Sequence, residues 1–560
     1  MIMEPIVETS KMNKRFFYYL IISGIIIFLT LIIFNRCYET VDDPYVVYIC
    51  MKGGYTPFMS ILLGAFISFF YHNVSANIPW YGIILYLIHI PTLALLLKLF
   101  WHNRQKSIFT ILLFSSFLFL YLLFIINLSY TTLSIMIGGL ALLSFLIYLV
   151  EEKNPSYGYS LFLGIMFSFS FLLRTDGLKA VMISIFLIAV WFFLRSKEKF
   201  LTDFKHIIIF PLPLILVIVF HFYALSHWRD PQWKSFQEYN VVRGKIQGYP
   251  IFDKDKNFQE YREIGWTPYE MDMLEHWLHI DENRFNIEKM KLLAQMPRPK
   301  RSLSHSIDWI RGEYLEELIL LLVLSIIILT MTYNRVVDKL FIIFYIIIVG
   351  LAFPIFMRMF LRFPERIGHP VFLLIFLGIY LIWNTFDGQA SLRKIPNWTT
   401  YFLSFILLVP TGYFLRNFIR INEQIGRKRT EMFQIRKLYD SFGDKAVFLF
   451  AGGRWGCYEY QDPLSMKEHK SKGFYSGWMI LSPIFYSELK EIGLEKGYQL
   501  LPYMVDNNSA FLVCKEELIE SVEKFIRQTY SLDVTIVPVD IAVPWEKRPT
   551  IYKIISASRE

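Results

Sequence analysis

The chain has 560 residues, of which 54% are hydrophobic, 18% are aromatic and only 19% are charged. A soluble protein carries about a quarter charged residues, so this balance excludes an ordinary soluble enzyme and indicates a polytopic membrane protein. The net charge of +9 comes without a basic cluster interleaved with exposed aromatics on a polar domain, which argues against nucleic-acid binding. Four cysteines are too few to form a disulfide scaffold.

A bilayer core requires roughly 20 apolar residues per helix, and about eleven stretches of the chain meet that need. We therefore predict an α-helical polytopic membrane protein with about eleven transmembrane helices. The predicted spans are Phe16–Phe34, Trp80–Trp101, Ile108–Ile126, Thr131–Val150, Tyr157–Leu173, Leu178–Leu194, Ile207–Leu225, Leu315–Tyr333, Leu340–Phe356, Val371–Trp383 and Thr399–Leu415.

One further apolar stretch, Phe58–Tyr71, has about 14 residues and suits an interfacial or re-entrant helix better than a span. With it outside the count, the basic residues of the short loops all fall on the side of the N-terminus, as the positive-inside rule requires. Those residues are Arg104, Lys106, Lys153, Arg195, Lys197, Lys199, Lys205, Arg335, Lys339, Arg393 and Lys394. The pattern predicts a cytoplasmic N-terminus and a C-terminal domain outside the bacterial cytoplasmic membrane.

Three polar regions then share the outer face: the loops 35–79 and 226–313, and the C-terminal region. We divide the chain into a transmembrane domain, 1–419, and an extracytoplasmic domain, 420–560. Short apolar runs and one helical run predict that the second domain is a small α/β domain. The predicted strands and helix are Ala446–Ala451, Ala510–Cys514, Val534–Val537, Ile551–Ile555 and Glu516–Gln528.

An acidic pair, Asp42 and Asp43, follows the first span and is stiffened by Pro44. Two adjacent carboxylates at the membrane surface suit a general base or metal ligands. The alternative is an ordinary solvated turn.

Arginines at the outer ends of spans break the orientation rule. If the helix continues towards Pro364, Arg358 and Arg362 are like-charged i,i+4 neighbours, and Arg366 follows them. A lipid phosphate would compensate these charges, because Arg presents a planar fork to phosphate oxygens. The alternatives are ordinary anionic headgroups or pairing with Glu365.

A very short outer turn holds two more charges, Arg174 and Asp176. Charges inside a bilayer are costly, so these two either face a polar cavity or pair with each other.

The long outer loop contains Tyr239, Asn240 and Arg243, whose aromatic and polar groups suit stacking on a sugar and hydrogen bonding to it. The alternative is packing of the loop onto the membrane domain.

All four cysteines fall in outer regions. Two disulfides, Cys37–Cys50 and Cys457–Cys514, are weighed against four unpaired thiols, and the alternatives stay open.

The chain resembles the GT-C superfamily of membrane glycosyltransferases. The resemblance rests on Asp42-Asp43 after the first span, the Phe58–Tyr71 helix, and Pro79-Trp80-Tyr81 at the start of the second span. A narrower resemblance is to a family of polytopic membrane proteins of Gram-positive bacteria. It rests on Asp42-Asp43 through Gly54–Pro57, on Tyr239–Arg243 and on Ile264–Asp272, and it implies no particular substrate.

The broad resemblance implies an inverting transfer of a sugar from a polyprenyl phosphate carrier to a cell-envelope glycan, glycolipid or protein. It implies that Asp43 or Asp42 is the base, and that Arg362 and Arg366, with Arg358 or Arg174 as alternates, hold the carrier phosphate. Asp43 and Asp176 would bind a divalent ion such as Mg²⁺ or Mn²⁺, which some members need and others do not.

Three alternatives to a GT-C transferase stay open. An O-antigen ligase or polymerase type also uses outer-loop arginines on polyprenyl pyrophosphate but does not require the acidic pair. A transporter or flippase predicts paired repeats and charges at mid-span, which the spans almost lack. The third is a protein whose outer domain only binds or scaffolds.

Overall fold

The computed structural model describes residues 4–39, 42–54, 56–101, 108–227, 230–247, 257–297, 301–331, 336–386, 397–451, 460–465, 472–539 and 550–557. Each of the eleven predicted spans is mostly helical in the described residues; Ile207–Leu225 is broken at residues 210–211, and the last two residues of Leu315–Tyr333 lie outside the described ranges. The helices that contain them are α1 (Glu4–Ile33), α4 (Trp80–Trp101), α5 (Ile108–Ile126), α6 (Tyr130–Glu151), α7 (Tyr157–Leu173), α8 (Gly177–Arg195), α10 (Phe204–Ile209) with α11 (Leu212–His227), α17 (Leu315–Met331), α18 (Val336–Tyr345) with α19 (Phe353–Phe360), α20 (Glu365–Phe386) and α21 (Asn397–Ser441).

The remaining helices are short. They are α2 (Asp43–Met51), α3 (Ile61–Asn73), α9 (Lys197–Thr202), α12 (Pro231–Gln247), α13 (Phe258–Glu263), α14 (Pro268–Glu275), α15 (Ile287–Gln295), α16 (Leu303–Glu313), α22 (Pro483–Glu491), α23 (Leu500–Asp506) and α24 (Ile519–Tyr530), with a π-helical stretch at Ile346–Ala352 and 3₁₀ turns at Gly497–Gln499 and Glu516–Leu518.

Within the described ranges, seven helices are long and apolar enough to cross a bilayer. They are Phe16–Ile33, Trp80–Trp101, Tyr130–Glu151, Gly177–Arg195, Phe204–His227, Val336–Phe360 and Glu365–Trp383. Large apolar side chains on their outer faces are exposed, for example Phe28 at 63% and Phe220 at 58%. Water does not tolerate so much contiguous apolar surface, so these faces contact lipid and the chain is a multi-pass membrane protein.

The predicted short apolar stretch forms a helix, α3, which has 13 residues and is too short for a straight crossing; its interfacial position stays a prediction. It begins after Ser60, whose hydroxyl accepts from the Leu62 amide at 3.4 Å and caps the helix. It packs against α2, α4, α7 and α11. The first outer loop is thereby held against the membrane helices, and α2 lies close to them.

The C-terminal region is the small α/β domain that the sequence predicts. Its five-stranded sheet has the order β4-β3-β5-β7-β6, with β3 parallel to β4 and β5, and β7 antiparallel to β5 and β6. The strands are β3 (Val447–Phe450), β4 (Lys472–Tyr475), β5 (Ala510–Cys514), β6 (Val534–Pro538) and β7 (Thr550–Ser556). A separate two-stranded pairing joins β1 (Cys37–Tyr38) to β2 (Asn127–Leu128).

Two features connect the predicted domains. Helix α21 runs for 45 residues from the last apolar stretch through residue 420 into the α/β domain. The long outer loop also shares a hydrophobic core with the sheet, in which Tyr261 and Leu278 pack in one cluster with Leu449 and Leu512. The division at residue 420 remains a prediction, and the site described next lies beside this shared core.

Candidate functional site

The two predicted carboxylates lie at the start of α2 and are held in different ways. Asp43 is fully buried, and its Oδ1 accepts from the Tyr81 hydroxyl at 2.7 Å and from the Tyr130 amide at 3.0 Å. Its Oδ2 is buried with no hydrogen-bond partner among the residues described. Burial, with a smaller contribution from the nearby Glu39 charge, raises the pKa of Asp43 well above its ordinary value. Burial therefore favours the protonated form of this carboxyl.

Asp42 carries the charge at this end of α2. Its Oδ2 lies 3.0 Å from Nη2 of Arg366 and 3.6 Å from Nη1 of Arg174, and its side chain keeps 8% exposure. The two arginines come from the first turn of α20 and from the turn between α7 and α8. The structure therefore brings two of the predicted arginines to one of the two predicted carboxylates.

Arg366 also binds a carboxylate that the sequence reasoning did not single out. Its Nη1 lies 3.3 Å from Oε1 of Glu39, and both side chains are mostly buried. The Arg366 backbone is fixed in turn, since the Thr132 hydroxyl donates to its carbonyl at 3.0 Å. Glu39 lies three residues before Asp42 in the same acidic run, and this proximity was the available signal.

Arg174 is oriented by the start of α6. Its Nη1 donates to the Tyr130 hydroxyl at 3.1 Å and to Oγ1 of Thr131 at 2.7 Å. The guanidinium also lies 5.5 Å from the ring centre of Phe58 and 5.6 Å from that of Tyr130. Aromatic rings at these distances stabilise a cation and fix the plane of the guanidinium group.

Two further arginines flank this cluster without an ion pair of their own in the part of the chain that is described. Arg362 follows the end of α19, and Arg243 lies on α12 of the long outer loop. The charges of both arginines act on Asp42. Arg362 also repels Arg243, and Arg366 repels Arg362. Burial lowers the pKa of Arg243 to about 10, and Asp42 partly offsets that effect, so the group stays charged at neutral pH.

Trp277 lies between these two guanidinium groups. Its ring centre is 5.0 Å from Arg243 and 5.9 Å from Arg362. The residue has φ +62°, a left-handed conformation that a bulky side chain rarely adopts. Such backbone strain concentrates at ligand sites, because the surrounding structure must hold it. Nothing in the sequence pattern around Trp277 indicated this position.

In the predicted substrate segment of the long loop, neighbouring side chains hold Arg243 in place through hydrogen bonds. Asn240 Oδ1 accepts from Nε of Arg243 at 3.2 Å, and Gln247 Oε1 accepts from its Nη1 at 2.6 Å. Gln247 is itself fixed through its amide, which donates to the Leu274 carbonyl at 2.8 Å. Both partners are neutral, so the charge of Arg243 is solvated by amides but not cancelled. Tyr239, also predicted here, is buried, and its hydroxyl has no partner in the described structure.

The predicted helical pairing of Arg358 with Arg362 is wrong. Helix α19 ends at Phe360 and Leu361 is extended, so Arg362 leaves the helical face on which Arg358 lies. Arg358 stacks on Trp309 at 4.1 Å instead, while Arg301 donates to its carbonyl at 2.9 Å. The pairing fails because the chain straightens before Pro364, which disfavours the helical conformation in the residue before it.

The proposed metal ligands do not come together. Asp43 faces Tyr81 and Tyr130, whereas the Asp176 carboxylate is 63% exposed and pairs with Lys179 at 2.6 Å. Asp42 and Glu39 are engaged by Arg366. Over the described ranges, the structure contains no group of three or more His, Cys, Asp or Glu side chains that could hold a metal ion. These residues do not fit a divalent ion.

The cysteines favour the thiol alternative. Cys37, Cys50 and Cys514 are free and buried, so the Cys37–Cys50 disulfide is not formed. Cys457 lies outside the described residues, and Cys514 is unpaired. Cys37 is held on β1, while Cys50 lies on α2.

No protein-family model and no curated protein matches the chain. Among solved structures, the chain is similar to ArnT from Cupriavidus metallidurans, determined as a crystal structure in the apo state. The sequence identity is 10%, the match covers 96% of this chain and 97% of that chain, and the TM-score is 0.38. A likeness of this degree assigns neither a family nor an activity.

Proposed function

We propose that the protein is a GT-C-type membrane glycosyltransferase. It would transfer a sugar from a polyprenyl phosphate carrier to a cell-envelope acceptor, with inversion at the anomeric carbon. The observation that carries this proposal is the pairing of Asp42 with Arg366 at 3.0 Å and with Arg174 at 3.6 Å, two arginines from separate parts of the chain.

The charge balance of the site favours an anionic ligand. Arg366 pairs with Asp42 and Glu39, Arg174 pairs with Asp42, and the charges of Arg243 and Arg362 act on Asp42 as well, so the guanidinium groups at this site outnumber the carboxylates that they act on. Arg243 is buried without a counterion in the described structure, and such a charge costs several kcal/mol. A phosphate would remove this cost, and the planar fork of Arg matches two of its oxygens.

The arrangement suggests different roles for the two adjacent carboxylates. Asp42 pairs with Arg366 and Arg174 at the start of α2, so we assign it as the base that accepts the proton of the acceptor hydroxyl. The acceptor oxygen then bonds to the anomeric carbon as the bond from that carbon to the phosphate oxygen breaks. The bonding electrons leave with the phosphate, whose charge Arg362, Arg366 and Arg174 stabilise. Asp43 anchors the start of α2 through Tyr81 and Tyr130 and acts as a positioning residue.

The orientation predicted from the loop charges belongs to the same proposal. The site would lie on the outer face of a bacterial cytoplasmic membrane, with the N-terminus in the cytoplasm. A relationship to polytopic proteins of Gram-positive bacteria also remains a proposal. No step above requires a divalent ion, and the residues proposed to bind one are engaged elsewhere.

The test is a transfer assay with purified protein and polyprenyl-linked sugar, comparing Asp42→Asn, Asp43→Asn and the control Arg311→Ala. Asp42→Asn should lower kcat by roughly 10²- to 10⁴-fold, the usual contribution of a general base. Asp43→Asn preserves the shape of the buried group and should cost much less. Arg311 is an exposed surface residue paired with Asp308, so its removal should leave transfer unchanged. Full activity of Asp42→Asn would exclude it as the base.

Loss of the gene provides an independent test. Thin-layer analysis of polyprenyl-linked sugars should show accumulation of the unused donor. A ligase or polymerase would share the arginines but tolerate Asp42→Asn. If the protein is a flippase, loss of the gene changes the side of the membrane on which the lipid-linked sugar accumulates, and the purified protein shows no sugar transfer.

A further inference from the structure

A cavity of about 670 Å³ lies between the long outer loop and the α/β domain. Helix α12 forms one wall, and α22 with the segment before the Gly497–Gln499 turn forms the other. Its volume falls within the range of small-molecule sites, about 300–1,000 Å³. None of the chemistry assigned above to the arginine cluster uses this space.

The two walls are fastened together, so the cavity is preformed. Glu282, from the loop side, accepts from the backbone amides of Gly497 at 3.3 Å and Tyr498 at 3.0 Å. Nearby, the Tyr530 hydroxyl donates to Asp281 at 2.7 Å, and the Ser521 hydroxyl donates to Asp272 at 2.6 Å. A site fixed in this way binds without first having to order its walls.

The lining of the cavity suits a neutral, hydroxyl-rich ligand. Gln232, Ser235 and Asn286 offer uncharged hydrogen-bonding groups, and Tyr486 offers an aromatic surface. The charged lining residues are balanced in number, with two glutamates, Glu282 and Glu495, and two lysines, Lys490 and Lys496. A phosphate would favour a surplus of cations, as at the arginine cluster. Carbohydrate presents both hydroxyl groups and apolar ring faces, and this mixed lining matches it.

Helix α12 joins the cavity to the arginine cluster. Gln232, Phe236, Tyr239 and Arg243 recur at intervals of four, three and four residues, which places them along one face. The first three line the cavity, and Arg243 lies one turn further on, about 6 Å along the helix axis. A chain lying along this face would extend from the cavity to the arginines around Asp42.

We infer that this cavity binds the acceptor, and that the acceptor is a carbohydrate chain whose reacting end lies at Asp42. The assignment as an acceptor rests on the proposed function, whereas carbohydrate binding in the cavity does not. The ligand enters from the aqueous side, between α12 and α22, and not from the bilayer.

The test uses the full-length protein in lipid nanodiscs. Saturation-transfer NMR measures binding of short chains of N-acetylglucosamine and of glucose, with a neutral peptide of similar length as a comparison. Ser235→Trp places a large ring in the cavity from an exposed position. Lys234→Trp is the matched control, since Lys234 is the adjacent exposed residue and does not line the cavity. Polyprenyl phosphate binding is measured separately by native mass spectrometry.

The expected result is saccharide binding that Ser235→Trp weakens about tenfold or more and Lys234→Trp leaves intact, with carrier binding equal in all variants. Absence of saccharide binding, equal loss in both tryptophan variants, retention in Ser235→Trp or preference for the peptide would overturn the inference. Saccharide binding without carrier binding would contradict the proposed function alone, and the reverse would contradict the inference alone.

Discussion

Arg366 and Arg362 lie four residues apart in the same cluster, yet their removal should have opposite consequences. Arg366 bridges two mostly buried carboxylates, at 3.3 Å from Glu39 and 3.0 Å from Asp42. Breaking a buried ion pair from one side costs roughly 3–5 kcal/mol, because the other charge is left uncompensated. Asp42 keeps Arg174 at 3.6 Å, so Arg366→Ala should cost about 3 kcal/mol, near the lower end of that range.

Arg362 has no ion pair in the described structure, and its neighbours Arg366 and Arg301 repel it. Arg362→Ala should therefore change the free energy of unfolding by no more than about 0.5 kcal/mol. It should instead weaken the binding of polyprenyl phosphate. A hydrogen bond to a charged group is worth about 1.5–3 kcal/mol, which corresponds to roughly 10- to 150-fold in affinity.

Thermal unfolding followed by intrinsic fluorescence and carrier binding followed by native mass spectrometry separate these effects. Arg311→Ala serves as the control for removal of an arginine at an exposed position. If Arg362→Ala destabilises the protein as much as Arg366→Ala does, Arg362 is a structural residue. If it leaves carrier affinity unchanged, the charge argument for a phosphate at this site is refuted.

Two further predictions concern groups outside the arginine cluster. Burial raises the pKa of Glu488 to about 7, and the carboxyl accepts from Tyr48 of α2, so the folded protein should lose up to about 2 kcal/mol as pH rises from 4.5 to 7. The free energy of unfolding, measured across that pH range, should fall with rising pH, and Glu488→Gln should abolish this dependence. An unchanged pH dependence in Glu488→Gln would contradict the assignment of the effect to Glu488. Burial also raises the pKa of the Cys37, Cys50 and Cys514 thiols, which should therefore resist alkylation in the folded protein. After denaturation the three thiols should be alkylated without reductant, as followed by mass spectrometry. If alkylation required a reductant, a disulfide would be present.

Much of the architecture could be predicted because hydrophobic length alone specifies a membrane helix. In the described residues the predicted spans are mostly helical, seven helices are long and apolar enough to cross a bilayer, and the short stretch before the second span forms α3. In the α/β domain, β5 falls at the predicted Ala510–Cys514, where five consecutive apolar residues are buried. Strand β4 was missed because Lys472–Tyr475 has four residues and no apolar alternation, and its place at the edge of the sheet comes from pairing with β3.

The site could be predicted in part, for a related reason. Arg366 and Arg174 break the expected charge distribution along the chain, and such a violation is visible without a structure. Which of the two adjacent carboxylates meets them is decided by where α2 begins, and no pattern specifies that choice to a single residue. The position of Trp277 cannot be predicted from the sequence either, because it depends on a left-handed backbone conformation and on helices that are distant in sequence.

The surplus of guanidinium charge over carboxylate charge bears on catalysis as well as on binding. A sugar attached to a polyprenyl phosphate leaves the phosphate with one negative charge, whereas the released phosphate monoester approaches two at neutral pH. Four arginines against Asp42 and Glu39 leave two positive charges, which match the leaving group better than they match the intact donor. Interactions that strengthen as the bond breaks lower the barrier, whereas those that bind donor and transition state equally do not.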